Sequence, residues 1–252
     1  AGVGLHGVLL DVLMLASTFG LACLLGTRLF GLDRTTTLLI GAGSSICGAA
    51  AVMATEPVVR GRAEQVAVAV STVVVFGTLG IFLYPALFQL DQDWGLLPRD
   101  PGTWGVYIGA TVHEVAQVVA AGRSIGIEAA DTAVIAKMVR VMMLAPFLIL
   151  LSAWLARDKA HRRQHSGATK ITIPWFAVGF VLVAGLNSLV SLPPALVSHV
   201  NDLDTFLLAM AMAGLGLGTH LSAIRRAGLK PLLLAALLFA WLVLGGGLLT
   251  RL

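Results

Sequence analysis

The sequence predicts an all-α polytopic membrane protein built on an inverted repeat, with two discontinuous helices, re-entrant or broken, meeting near the bilayer midplane. Three observations carry this: the composition, a repeat at an offset of 66 residues, and the distribution of charge between the apolar segments. Of the 252 residues, 58% are hydrophobic and 12% charged, and the mean hydropathy is +0.91. No soluble domain of this length tolerates that balance. Several apolar runs exceed the ~20 residues needed to cross a ~30 Å hydrocarbon core. They are continuous rather than alternating, which excludes a β-barrel. The formal charge of +4 collects in short connections without interleaved aromatics, so it points to membrane topology and not to nucleic acid. Cys23 and Cys47 both lie in apolar segments, so neither a disulfide nor a metal site is expected, and no cofactor is implied.

Taken in order, the candidate spanning segments are 7–30, 36–59, 65–90, 104–122, 131–156, 174–192, 204–221 and 231–250. Their connections are short, so residues 1–252 read as a single transmembrane domain. Ala1 to Gly7 lacks the charged start of a signal peptide. The start close to a spanning segment suggests that upstream sequence is missing here. Arg157 to Lys170 holds Arg157, Lys159, Arg162, Arg163 and Lys170 against Asp158, which makes it cytoplasmic by the positive-inside rule. Arg225, Arg226 and Lys230 mark a second inner connection, and His199, Asp202 and Asp204 suit an outer loop between them.

The repeat runs over about 36–90 and 104–156. Gly43/Gly109, Ala50/Ala116, Val52/Val118 and Ala54/Ala120 are identical pairs, and Ala67/Ala133, Val68/Val134, Val73/Val139 and Val75/Val141 extend the register. If every segment crossed, Arg60 and Arg62 would fall outside and Asp91 and Asp93 inside. Letting 36–59 and 104–122 enter and return on one side repairs the bias. Arg28, Arg34, Arg60 and Arg62 then lie inside, and Asp91, Asp93 and Asp100 outside. These two segments are the repeat copies, entering from opposite faces as an inverted repeat does. Non-helical backbone at that depth must line a cavity or be buried in protein.

Lys137 and Arg140 stand three apart on a predicted helix and share one face. Ionisable groups at membrane depth face a partner or a water-filled path. Beside helix N-termini, two cations would make an anion site; the alternatives are snorkelling or a structural pair with Glu114. His113 and Glu114, with Gln117, replace Cys47, Gly48 and Ala51 of the first copy. An imidazole and a carboxylate in a membrane suit proton coupling, or else a polar packing cluster. The run His113-Glu114-Val115-Ala116-Gln117 resembles a His-Glu-x-x-His zinc motif but ends in Gln, a poor zinc ligand, so a protease is not predicted. Ser44, Ser45 and Thr111 offer hydroxyls to a solute or to their own helices. Asp11 is expected to reach the interface, Asn187 to bridge helices, and Ala209 to Gly214 to form packing surface.

The segments Gly43-Ser44-Ser45-Ile46-Cys47-Gly48-Ala49, Phe76-Gly77-Thr78-Leu79 with Tyr84-Pro85, and His113-Glu114 with Ala116 to Gly122 resemble the sulfate exporter family of bacterial inner-membrane proteins. Lys137 with Arg140-Val141, and Asp204-Thr205-Phe206-Leu207 through Gly214 to Thr219, extend the resemblance over nearly the whole chain. It implies kinship with antiporter-like and bile-acid-transporter-like folds, and several N-terminal helices that this chain lacks. The expectation is a secondary transporter, not an enzyme, moving sulfate or a related small anion with proton or potential coupling. Ser44, Ser45, Thr111, Gln117, Lys137 and Arg140 would bind the anion, and His113 and Glu114 would carry the proton. The rival is a cation/proton antiporter using Glu114, and a second rival is a non-transporting subunit of a larger complex. The expected partners are the anion, the lipid bilayer and a further copy of the chain.

Overall fold

A computed structural model describes residues 4–95, 98, 100–161, 179, 182–183, 185–186, 193–218 and 228–251. The basic stretch 162–170, most of segment 174–192 with Asn187, and Arg225 with Arg226 lie outside the described residues. Within them the elements are helices: α1 Gly4–Leu24, which runs into a π turn at Leu25–Leu29, α2 Arg34–Ser45, α3 Ala49–Val59, α4 Ala63–Trp94, α5 Pro101–Thr111, α6 Val115–Ile125, α7 Ile127–Met142, α8 Leu144–His161, α9 Pro194–Gly218 and α10 Leu229–Thr250. Among the described residues, four stretches are long and apolar enough to cross a bilayer: Gly7–Leu29, Ala63–Asp91, Ile127–Arg157 and Leu229–Thr250.

The repeated segments each contain two short helices. Both entry helices start the same way: Asp33 accepts the Thr36 amide at 2.9 Å, and Asp100 accepts the Thr103 amide at 2.8 Å. A side-chain oxygen at this position satisfies one of the amides a helix start leaves unpaired. Pro101 adds a pre-set φ at the first turn of α5. The Thr103 amide and then its hydroxyl hold the exposed Asp100 carboxyl below the usual carboxylate range. Both entry helices then stop. α2 gives way at Ile46 (φ −125°, ψ −88°) and restarts after Gly48, whose φ of +66° a side chain resists. α5 gives way to extended backbone at Val112 (ψ 145°) and Glu114 (ψ 152°). Ser45 and Thr111, Ala49 and Val115, and Val59 and Ile125 end or begin helices at the offset the sequence repeat predicts.

Close approach fixes the layers. A Cβ on Gly105 would sit 2.6 Å from the Ala129 carbonyl oxygen, so α5 lies against the backbone of α7. In lipid, dispersion contacts of this kind replace the hydrophobic drive between helices. The copies also interlock. Leu38, Ile46 and Val58 of the first copy pack with Val141, Phe147 and Leu151 of the second. Tyr84 of α4 packs with Trp104, Tyr107 and Val118 of the second copy and Phe239 of α10.

Three expectations need correction. Asp11 does not reach an interface: it is 0% exposed, because it shares a buried stripe of α1 with Leu10, Met14, Thr18 and Ala22. His199, Asp202 and Asp204 are not in a loop, since α9 already begins at Pro194, whose fixed φ suits a first turn. The run from Ala209 to Gly214 is no packing surface within the described residues; Met210 is 55% exposed, as an apolar side chain facing lipid can be.

Candidate functional site

α7 delivers Lys137 and Arg140 to the place where the two helix junctions meet. Lys137 is 0% exposed and its Nζ donates to the Ile46 carbonyl at 2.8 Å and the Val112 carbonyl at 2.6 Å. One ammonium therefore ties the first junction to the second. Arg140, 1% exposed, donates from Nε to the Ser45 carbonyl at 2.8 Å, with Nη2 3.5 Å from the Ser44 carbonyl. Ser44, Ser45 and Ile46 close α2, and Val112 follows α5. The sequence reading set both cations beside helix N-termini; the structure sets them on C-terminal carbonyls. The reason is electrostatic, since the last carbonyls of a helix lack amide partners and carry the negative end of its dipole.

The carboxylate answers the opposite end. Glu114 Oε1 accepts the Ala49 amide, the first of α3, at 3.1 Å, and Gln117 Oε1 accepts the Glu114 amide at 3.1 Å. Glu114 fits because Gly48 has no side chain: a Cβ there would lie 2.5 Å from Glu114 Cγ. The predicted residues thus do converge. Ser44, Ser45, Thr111, His113, Glu114, Gln117, Lys137 and Arg140 are all buried, in or beside the two junctions or bonded to them.

Their bonding capacity differs. The Ser45 hydroxyl reaches the Ala42 carbonyl at 3.4 Å and Thr111 donates to the Tyr107 carbonyl at 2.5 Å, so both protons stay on their own helices. Ser44 Oγ, Arg140 Nη1, His113 Nδ1 and Gln117 Nε2 are buried without a partner. So are both oxygens of Asp11, whose charge acts on Arg140 and Lys137. Asp11 was missed as a site residue. The signal was its register, one step from Leu10 and three from Met14 on the stripe that α1 buries. An orphaned polar atom at this depth costs about 1–3 kcal/mol, so this site concentrates unmet hydrogen-bonding capacity.

Helices of spanning length around buried, interlinked charges define a multi-pass membrane protein. The family described as conserved hypothetical protein 698 matches residues 1–235. The chain is 99% identical over its whole length to the UPF0324 membrane protein PA5383 of Pseudomonas aeruginosa, of which it spans 71%. It is 61% identical over 248 residues to the UPF0324 inner membrane protein YeiH of Escherichia coli K12, covering 98% of this chain and 69% of that protein. The YeiH protein of Salmonella typhi is 60% identical over 252 residues, again covering 98% and 69%. No solved structure matches. The chain belongs to the UPF0324 family, and it is a multi-pass protein of the bacterial inner membrane.

Proposed function

We propose that the protein is a secondary transporter that exports sulfate or a related small anion, coupled to protons or to the membrane potential, without making or breaking covalent bonds. In this reading α2–α3 and α5–α6 are the two discontinuous elements of an inverted repeat, and their junctions meet near the bilayer midplane. One observation carries it: two fully buried cations sit at the junctions, Lys137 bonded to both and Arg140 to the first, and Arg140 still has an unpartnered donor, Nη1. Burying positive charge at bilayer depth is costly, and such groups usually mark a solute path. A sulfate oxygen accepts from a guanidinium through strong charge-assisted bonds. Ser44 Oγ and Gln117 Nε2 would add donors, and Ser45 and Thr111 could add theirs by turning from their own helices. His113 and Glu114 are the protonatable groups nearest the junctions. The buried carboxylates Glu114 and Asp11 favour the second reading, a cation/proton antiporter in which Lys137 is the counter-charge.

Proteoliposomes loaded with labelled sulfate, or driven by a sodium gradient, distinguish the two readings. Sulfate flux that Arg140→Ala removes and Arg123→Ala preserves is the expected result. Losing one partner of a desolvated charged contact costs about 2–5 kcal/mol, whereas an exposed one costs under about 1 kcal/mol. Lysine at position 140 should restore only part of the flux, lacking the planar fork. Sodium-dependent proton movement with no sulfate flux would hand the assignment to the antiporter.

A further inference from the structure

Asp11 is the buried charge that the site as described leaves unused. It sits on α1, 0% exposed, and neither oxygen has a hydrogen-bond partner. α1 packs against α7, and the charges that act on Asp11 are Arg140 and Lys137. On α7, Arg140 Nη1 is also buried and unpartnered. A carboxylate and a guanidinium, each with orphaned atoms, are thus held on packed neighbouring helices without closing into a bonded pair. Unmet bonding capacity of both signs suits a third charged group. Glu114 is less free for this role, because its Oε1 holds the first amide of α3.

We propose that Asp11 is the resident counter-charge of Arg140 and Lys137, which a bound oxyanion displaces electrostatically and which then takes up a proton. This rests on the anion-transport reading above. The step balances simply: one proton from bulk water bonds to an Asp11 oxygen as one anion binds, and no bond of the anion changes. Physically, an anion placed against the two cations cancels the field that keeps the carboxylate charged. The other groups around α1 do not substitute for it. Beyond the two cations stand Cys47, Glu114, His113 and Tyr84, which feel Lys137 or Arg140. α5 brings Tyr107, whose hydroxyl is bonded to the Val243 carbonyl. Arg28 and Arg34 lie beside Thr27 at the other end of α1. On α10, Arg251 lies beyond Leu248, and Lys230 is near Leu234, which packs at Gly26.

The test uses full-length protein in detergent, with sodium sulfate as the probe. Binding is measured by calorimetry between pH 6 and 9 in buffers of different ionisation heat, which counts protons taken up. The wild type should bind one proton per sulfate, with affinity falling about tenfold per pH unit where the coupling operates. Asp11→Asn should bind sulfate with no proton uptake and a flat pH profile, while Glu128→Gln, at an exposed position outside the site, keeps the wild-type slope. Retained uptake in Asp11→Asn overturns the proposal while leaving anion transport standing. Absence of sulfate binding in the wild type overturns the transport reading itself. A second measurement needs no variant that folds. An apolar carbodiimide modifies protonated carboxyls in membranes, so sulfate should raise labelling of wild-type Asp11 several-fold. Unchanged or reduced labelling refutes the proposal.

Discussion

The two helix junctions share a backbone plan and differ in chemistry. Each follows an Asp-capped entry helix, each breaks at the same repeat position, and each offers a carbonyl to Lys137. Yet the first junction, Ile46–Gly48, ends in a glycine, and the second, Val112–Glu114, ends in a carboxylate. The carboxylate crosses over to serve the first copy, bonding the Ala49 amide through the space Gly48 leaves. The N-terminus of α6 has a local answer instead, from Gln117 to the Glu114 amide. The helix ends therefore fall at matched positions, whereas the residues at 48 and 114 differ, and that difference supplies the bond from the Ala49 amide to Glu114. A symmetric pair of glutamates would have set two like charges against each other.

The comparison breaks hardest at Lys137, which among the described residues is bonded to both junctions. Lys137→Ala strands two buried carbonyls at about 1–3 kcal/mol each, so a loss of up to about 6 kcal/mol is expected in denaturant unfolding in detergent. A loss below about 1 kcal/mol would mean that the ammonium does not hold the junctions together.

Next comes Gly48→Ala, expected to cost roughly 2–4 kcal/mol. It combines a positive φ with overlap on Glu114. Glu114→Ala in the same chain should recover the overlap part and leave the backbone part. Full additivity of the two substitutions would show that Gly48 and Glu114 do not share that space.

The caps give a smaller contrast. Asp33 accepts both the Thr36 amide and, at 2.8 Å, Gln65 Nε2 from a different helix, whereas Asp100 bonds within its own turn, chiefly to Thr103. Asp33→Ala should therefore cost more than Asp100→Ala, with the latter about 1 kcal/mol or less. The Asp100 carboxyl is held below its usual range by Thr103. Its contribution is accordingly present at neutral pH and fades as pH falls below the ordinary carboxylate range. Thermal unfolding of the wild type and Asp100→Ala should converge there; a gap that widens on acidification contradicts the assignment.

Smallest in energy is the test of sidedness. A cysteine at Asp100 should react with an impermeant maleimide in intact cells, and one at Arg62 should not, following the charge bias between the copies. The reverse pattern would invert the whole topology.

Much of this was legible beforehand. Hydropathy located the long spans, because lipid leaves an apolar helix few alternatives. The 66-residue offset coincides with the matched helix ends Ser45/Thr111, Ala49/Val115 and Val59/Ile125. The identity of the buried polar set, from Ser44 to Arg140, was also readable, because ionisable groups are rare in such segments. What each group does was not readable. No local pattern shows that Lys137 meets carbonyls 25 and 91 residues away, or that Glu114 bonds an amide 65 residues back. Nor does it show that Asp11, four residues into the span Gly7–Leu29, is sealed from water by α1's packing. The sequence by itself determined the class and the long spans, because these depend on the chain's own backbone and its solvent. Only the tertiary structure decided the pairing of charges, because desolvation and direction act between helix ends that packing alone brings together.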